Sequence, residues 1–341
     1  MARDLVLLTG ATGMIGFKTL AVLLEAGYQV RAAVRNQAGF DKISALKPIA
    51  PYASQLDSII VPDITSPGAY DTAVKGVKYI VHVASPLAVN IPPDTDYESY
   101  MIRPAVSSTV GILESASKVI GVQRIVITAS ILSISSLASI SKGEPVNEKT
   151  RTANTQGPFQ TEMFAYEASK ALAFQATEKF IAEKKPSFDV INILPVFVLG
   201  RDDTVTEAQN IAKGTNALLM GPILGYARDM PLVSGSVHVD DVAKMHVLAL
   251  HPRVEGNQDF LAASHPLESI DWAASFDIVK KHYPKEYAEG VFKFESIPKP
   301  VTIPAKTDST KAQKTFGFTF KTFEEQVVSV VDHFLELSGR K

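Results

Sequence analysis

Short apolar runs alternate with longer stretches of helical period through the first two hundred residues of the chain. Residues 5–8 are four apolar side chains in succession, as a parallel strand covered on both faces requires, and the apolar positions of 14–24, closed by Gly27, suit the helix that returns behind it. Further strands are predicted over 28–34, 57–61, 77–83, Arg124–Thr128 and 188–194, with helices over 68–75, 100–119 and 166–184 between them. Such alternation predicts an α/β fold, a Rossmann-type doubly wound parallel sheet. Pro92 and Pro93 mark a loop. Beyond Arg201 the alternation fails. Residues 206–235 are apolar and punctuated by glycine, holding Leu218, Leu219, Met220, Ile223, Leu224 and Tyr226; they predict a smaller second lobe, and 218–226 with Leu87, Ile131, Leu132, Phe197 and Val198 are candidates for the wall of an apolar substrate pocket. Gln258–Ala262 reads as a seventh strand, Asp240 as the N-cap of a helix over 241–250, and Thr322 with Glu325 as a capping box ahead of an amphipathic helix ending at Leu337.

Between the first strand and the first helix stands Thr9-Gly10-Ala11-Thr12-Gly13-Met14-Ile15-Gly16. Gly10 permits a tight turn, Gly13 lets a pyrophosphate approach the backbone, and Gly16 lets helix and strand pack closely. The free N–H groups of the helix N-terminus then point at the phosphates. The plain alternative is a glycine-rich strand-to-helix turn without a ligand. A strand before it and a helix after it favour the cradle. Where the second strand ends, a carboxylate would bind both ribose hydroxyls of NAD, whereas an arginine pairs with the 2′-phosphate of NADP. This chain has Arg35 there, with Arg31 and Lys42 able to assist. Asp63 and Ile64 follow the third strand and either meet the adenine or form an ordinary turn. Ala84 and Ser85, after the fourth, are expected beside the pyrophosphate and the mouth of the substrate site.

The fifth strand delivers Ser130 to the same crevice, because ligands of open parallel sheets bind outside the carboxyl ends of the strands. Ser133, Ser135, Ser136, Ser139 and Ser141 continue that segment as a polar loop. Of the ten tyrosines, Tyr166 alone has a lysine four residues on, Lys170. That spacing puts phenol and ammonium on one helix face, where the ammonium can lower the phenol's pKa and grip a ribose. Pro195, Phe197 and Val198 either cross the nicotinamide or are a simple strand exit.

The chain of 341 residues has a formal net charge of −2, so neither nucleic acid nor an anionic membrane is an expected partner. It has no cysteine, which excludes disulfides, thiolate catalysis and cysteine-bound zinc. His238, Asp240, Asp241 and His246 lack a metal-ligand spacing, and no metal is expected. The first strand begins within a few residues of Met1 and no run is long enough to span a bilayer, so the expected location is the cytoplasm. The expected division is a dinucleotide-binding domain over 1–200, to which part of 235–265 returns, and a substrate-binding lobe mainly over 201–341.

Together, Thr9-Gly-x-x-Gly-x-x-Gly16, Val81-His-Val-Ala-Ser85-Pro, Thr128-Ala-Ser130, Tyr166-x-x-x-Lys170 and Val237-His-Val-Asp-Asp241-Val resemble the extended short-chain dehydrogenase/reductases. Within them the chain is most similar to the dihydroflavonol reductase group and its fungal carbonyl and methylglyoxal reductase relatives, over nearly its whole length. The resemblance implies an NADP-dependent oxidoreductase. NADPH would give hydride to a small-molecule aldehyde or ketone, Ser130 would polarise the carbonyl, Tyr166 would donate the proton and Lys170 would tune it. It places Thr9, Thr12, Met14, Ile15 and Thr128 with the cofactor, and leaves monomer and homodimer both open. Ala129 departs from the many relatives with a second serine there, at a position that is not the catalytic one. One rival is a nucleotide-sugar epimerase or dehydratase of the same fold. A dehydratase needs an acid and a base where Ile131 and Leu132 stand, and an epimerase needs arginines for a nucleotide diphosphate, of which only Arg201, Arg228, Arg253 and Arg340 follow Lys170. The other rival, an NADP-binding regulatory protein without chemistry, has no need of Ser130, Tyr166 and Lys170 together.

Overall fold

The computed structural model describes residues 4–86, 91, 95–152 and 155–341; Leu87, Pro92 and Pro93 lie outside them. In chain order the first half runs β1 (Leu5–Thr9), α1 (Met14–Glu25), β2 (Gln29–Val34), α2 (Gln37–Ser44), β3 (Leu56–Ile60), β4 (Tyr79–His82), α3 (Arg103–Ser117), β5 (Arg124–Thr128), α4 (Leu137–Ser141), β6 (Val146–Asn147), α5 (Glu162–Lys184) and β7 (Asp189–Pro195). There follow β8 (Phe197–Leu199), α6 (Ala217–Ile223), β9 (Leu232–Val233), β10 (Ser236–His238), α7 (Val239–Leu248), β11 (Gln258–Ala262), α8 (Ala274–His282), α9 (Pro284–Ala288), β12 (Thr302–Ile303), β13 (Thr307–Asp308), α10 (Thr310–Phe316) and α11 (Phe323–Leu337).

Seven strands form one sheet in the order β11-β7-β5-β4-β1-β2-β3, with parallel pairing from β3 through to β7. The order reverses between β1 and β4, and a ligand crevice opens at such a switch point, outside the carboxyl ends of the strands. Buried Leu7, Ile80, Ile125 and Val190 from four adjacent strands share one core with Ile112, Leu113 and Ala116 of α3 and Phe180 of α5. Each such side chain contributes roughly 1.5–3 kcal/mol relative to exposure.

Three local expectations need correction. Residues 68–75 form successive turns and not a helix: Ser66-Pro67-Gly68 is a turn sequence, Gly68 has φ +71°, and Asp71 and Lys75 donate to carbonyls three residues back. The 100–119 helix is α3 preceded by one π-helical turn, Glu98–Ile102, with Pro104 in the first turn of α3, where its missing N–H costs nothing. Asp240 is not the cap of α7 but lies in its first turn. His238 Nδ1 accepts the Asp240 N–H at 3.0 Å, while the Asp240 carboxylate pairs with Lys321. The sequence reading also missed α2, which Asn36 caps by accepting the Gly39 N–H at 2.9 Å.

The chain forms two compact units. One comprises 1–136, 148–194 and 243–260, and the other 137–147, 195–242 and 261–341. In these bounds residues 243–260 return to the first unit, the second begins at Pro195, the last residue of β7, and residues 137–147 belong with the second unit. In that second unit Trp272 stands edge-on to Phe197 at 6.0 Å and to Phe323 at 5.7 Å, and its indole N–H donates to the Val233 carbonyl. Thr322 and Glu325 form the capping box of α11. Leu219, Met220 and Ile223 are fully buried in this core, so they are structural side chains and not pocket wall; Leu218 and Leu224 pack against it, and Tyr226 is 69% exposed.

In the first unit, Arg124 holds the end of the sheet opposite the crevice. Its guanidinium makes two bonds to Asp189, at 2.6 and 2.9 Å, and donates to the carbonyls of Ala249, His251 and Val254. The pair is largely buried, with side-chain exposures of 8% and 28%. Arg124→Met leaves a carboxylate and three carbonyls without their donor, and it is expected to destabilise the fold by about 3 kcal/mol. Urea unfolding measures this, and a loss below about 1 kcal/mol would show that the clamp is dispensable.

Candidate active site

The glycine turn joins β1 to α1 at the switch point. Gly10 has φ +76°, and a Cβ there would lie 2.7 Å from the Ala84 nitrogen; a Cβ on Gly16 would lie 2.0 Å from the Gly10 carbonyl oxygen. Neither contact is tolerable, so β1, the turn and α1 are held at glycine distance. Gly13 is different. Exposed at the N-cap of α1, it would place a Cβ 3.8 Å from its nearest neighbour, so the space above it is open. No side chain caps α1 and no acidic residue stands in its first turn, which leaves the positive end of the helix to an external anion. These features fit a dinucleotide pyrophosphate.

Thr9 closes the turn from below. Its hydroxyl accepts the Ala84 N–H at 3.1 Å and lies 2.9 Å from His82 Nδ1. Arg35 and Lys42 are exposed on the far side, at the end of β2 and on α2. Thr12 is in contact range of α2, its Cγ2 lying 3.5 Å from where a Gly39 Cβ would be, so the start of that helix abuts the glycine turn. Arg31 is not available to assist: its guanidinium donates to the Ala73 and Lys75 carbonyls at 2.9 and 2.8 Å. Asp63 accepts from the Thr65 backbone and hydroxyl through one oxygen and from Ser66 through the other, which holds its carboxyl below the usual range. Its carboxylate therefore serves its own turn. Ile64 packs against the core of the first unit.

Ser130, two residues beyond β5, has extended backbone and caps the short 3-10 turn Ile131–Ser133, its Oγ accepting the Leu132 N–H at 3.2 Å. That turn packs against α5, the helix that carries Tyr166 and Lys170. Ile131 and Leu132 are buried, as are Ser133 and Ser135. Thr161 caps α5 by accepting the Phe164 N–H, which sets Tyr166 in the second turn.

Lys170 Nζ lies over the Tyr166 ring, 5.4 Å from its centroid, and donates to Ser85 Oγ at 3.0 Å. Burial lowers the ammonium to about 8 and raises the phenol above its ordinary value. The phenol is thus not lowered by its neighbour, as the spacing suggested. The ammonium faces the ring and not the hydroxyl, and loss of water outweighs it. The Thr128 hydroxyl is 2.7 Å from His246 Nε2, a buried partner that the sequence reading set aside with the metal question. Pro195 ends β7, and Val198, buried in β8, is paired with Val237 of β10; both belong to the second unit.

Sequence reasoning missed Ser85 as a partner of Lys170, and His82 altogether. Both stand in the quoted Val81–Pro86 motif, so the signal was present, but a buried histidine carries no periodicity that announces its partner.

Comparison with known proteins agrees with this geometry. Residues 6–263 match the NAD dependent epimerase/dehydratase family. Ketoreductase CTB6 of Cercospora nicotianae is 37% identical over 99% of this chain and 96% of its own length. Ketoreductase sphI of Aspergillus fumigatus is 30% identical over 99% of this chain and the whole of its own. Among solved structures, yeast methylglyoxal/isovaleraldehyde reductase Gre2 complexed with NADPH superposes with a TM-score of 0.82 at 24% identity, covering 99% of this chain and 100% of that one. By sequence match over three quarters of its length and by its parallel sheet and glycine turn, the chain belongs to the NAD dependent epimerase/dehydratase family, the extended short-chain dehydrogenase/reductases.

Proposed function

We propose that this protein is an NADPH-dependent ketoreductase that reduces an uncharged ketone, aldehyde or keto ester to the alcohol. The observation that supports the reading is Lys170 Nζ bonded to Ser85 and lying over the Tyr166 ring in the unit that holds the glycine turn, whose uncapped α1 suits a dinucleotide. The names of the two ketoreductase relatives and of the NADPH-bound reductase point the same way. Gly10, Gly13, Gly16 and the uncapped end of α1 would hold the pyrophosphate, and Arg35 the 2′-phosphate. When bound, NADPH supplies the hydride. Ser130 donates a hydrogen bond to the substrate carbonyl oxygen, where negative charge develops. Tyr166, kept neutral by burial, holds the proton that this oxygen takes up. Lys170, charged below pH 8, stands beside the phenol and favours the anion that the transfer leaves behind.

Recognition of a charged substrate would need arginines, and two of the four that follow Lys170 are engaged: Arg201 by Asp203 and Glu336, and Arg340 by Glu289. Substrate affinity would then come from apolar burial, about 25 cal/mol per Å². Neutral aryl and alkyl ketones are expected to exceed keto acids and sugar phosphates of similar size in kcat/KM with NADPH. Tyr166→Phe is expected to bind NADPH but turn nothing over. Preference for the charged series would overturn the substrate class, and full turnover by Tyr166→Phe would overturn the proton donor.

Arg35→Ala is expected to weaken NADPH by about 1.5–3 kcal/mol, the scale of a charge-assisted bond, and to leave NADH nearly unchanged. Equal losses in calorimetric titration of the two cofactors would remove Arg35 from the site.

Because burial puts Lys170 near 8, its charge is full at pH 6 and is lost as pH rises through about 8, while the phenol stays protonated over that range. The rate of ketone reduction is therefore expected to fall as pH rises through about 8. In Lys170→Arg, whose charge persists, this limb should vanish. A limb that survives the substitution belongs to another group.

A further inference from the structure

We propose, building on the cofactor assignment above, that His82 is a positioning residue of the NADPH cradle and acts through Thr9. Thr9 is wholly buried, and its Oγ1 takes the Ala84 N–H at 3.1 Å, so its own hydrogen has one partner to go to, His82 Nδ1 at 2.9 Å. The reverse arrangement, with His82 donating, would leave both the Thr9 hydroxyl hydrogen and the Nε2 lone pair buried without partners, against the Nε2–H alone in this one. His82 Nδ1 is thus the acceptor and Nε2 carries the proton. Nε2 has no hydrogen-bond partner among the described residues, and the Tyr70 ring stands perpendicular to the imidazole with centroids 5.9 Å apart.

This chain of contacts decides where the turn sits. Gly10, next after Thr9, touches the Val83–Ala84 backbone so closely that a Cβ would lie 2.7 Å from the Ala84 nitrogen. Without the histidine acceptor, the hydroxyl is free to rotate away from the Ala84 N–H, and the seat of Gly10 loosens. The same short segment carries Ser85, the acceptor of Lys170, so His82 supports a piece of backbone shared by cradle and catalytic lysine. The imidazole must be neutral to accept, and burial, with the Lys170 charge nearby, holds it down to about 4. A charged histidine here would have to give up the Thr9 bond.

The test measures NADPH affinity directly, by calorimetry and by the fluorescence of the bound nicotinamide, together with the melting temperature of the cofactor-free protein. His82→Phe keeps a buried ring and removes the acceptor; its NADPH Kd should rise about tenfold, the scale of one hydrogen bond. His82→Asn, whose Oδ1 can take the place of Nδ1, should return Kd to within about threefold of the parent, although it fills the space less well. A purely structural role predicts the opposite order, with Phe milder than Asn. Thr9→Val should cost about as much as His82→Phe, and the double variant no more than either alone. Additive losses, or a Kd within about twofold of the parent in His82→Phe, overturn the proposal. If His82→Phe does not fold, Thr9→Val alone decides, and an unchanged Kd there overturns the proposal equally. A parent protein that binds no NADPH overturns the functional reading and this inference with it, whereas a parent that binds and a His82→Phe that binds as well overturns this inference only.

Discussion

The close approach of the Gly10 turn to the backbone that leaves β4 is the constraint on which the first unit depends. Two parallel neighbours, β1 and β4, end side by side at the point where the sheet order reverses, and their following segments must diverge to opposite faces. Gly10 turns one chain away at φ +76°, while the Thr9 hydroxyl ties it to the other. The helix that follows then starts close enough to the turn for Gly16 to sit against the Gly10 carbonyl. An uncapped helix end pointing over open space at Gly13 is the result, and anion binding there needs no basic side chain.

The same constraint accounts for the polar groups beneath the site. Strand ends in a doubly wound sheet are buried on both faces, so each polar side chain there must find a partner inside the protein. Thr9 meets His82, Thr128 meets His246, and Lys170 meets Ser85. The first joins the ends of β1 and β4, the second ties the end of β5 to α7, and the third ties α5 to the segment after β4, across sequence separations of 73, 118 and 85 residues. Lys170 and Tyr166 are themselves half-buried beside this layer, and loss of water lowers the one and raises the other. The lowered ammonium and the raised phenol thus come from one cause. A phenol lowered toward neutrality would arrive already deprotonated, which suits oxidation of an alcohol better than reduction of a ketone.

What was legible in the sequence follows from these physics. The strands were readable because burial on both faces writes them as continuous apolar runs, and the run at residues 5–8 leads directly into a glycine spacing that few other structures need. Tyr166 and Lys170 were readable because one helix turn sets their separation. Residues 68–75 were misread because the apolar spacing of Tyr70, Ala73, Val74 and Val77 suits a helix, yet the Pro67-Gly68 pair breaks the chain into turns that bury the same side chains. Arg31 was misassigned because its partners are carbonyls of a segment more than forty residues on, and carbonyl positions leave no mark in a sequence. Leu219, Met220 and Ile223 were misassigned as pocket wall for a related reason. Composition cannot tell a pocket wall from a core, and Leu219, Met220 and Ile223 lie in a core with Trp272 and Phe323.

That last error bears on how a substrate could be selected. With Leu219, Met220 and Ile223 fixed in a well-filled core, substitutions there would alter packing before they altered a binding surface, and each would carry a cavity cost of about 2–5 kcal/mol on truncation. Variation that leaves stability intact must fall on residues that neighbours do not already enclose. Tyr226 and Met230 are large, apolar and mostly exposed on the segment that leaves α6, and an exposed aromatic is the kind of side chain that gains most from covering an apolar ligand. Within the second unit, substitutions in the segment after α6 are therefore expected to cost less stability than truncations in the helix itself.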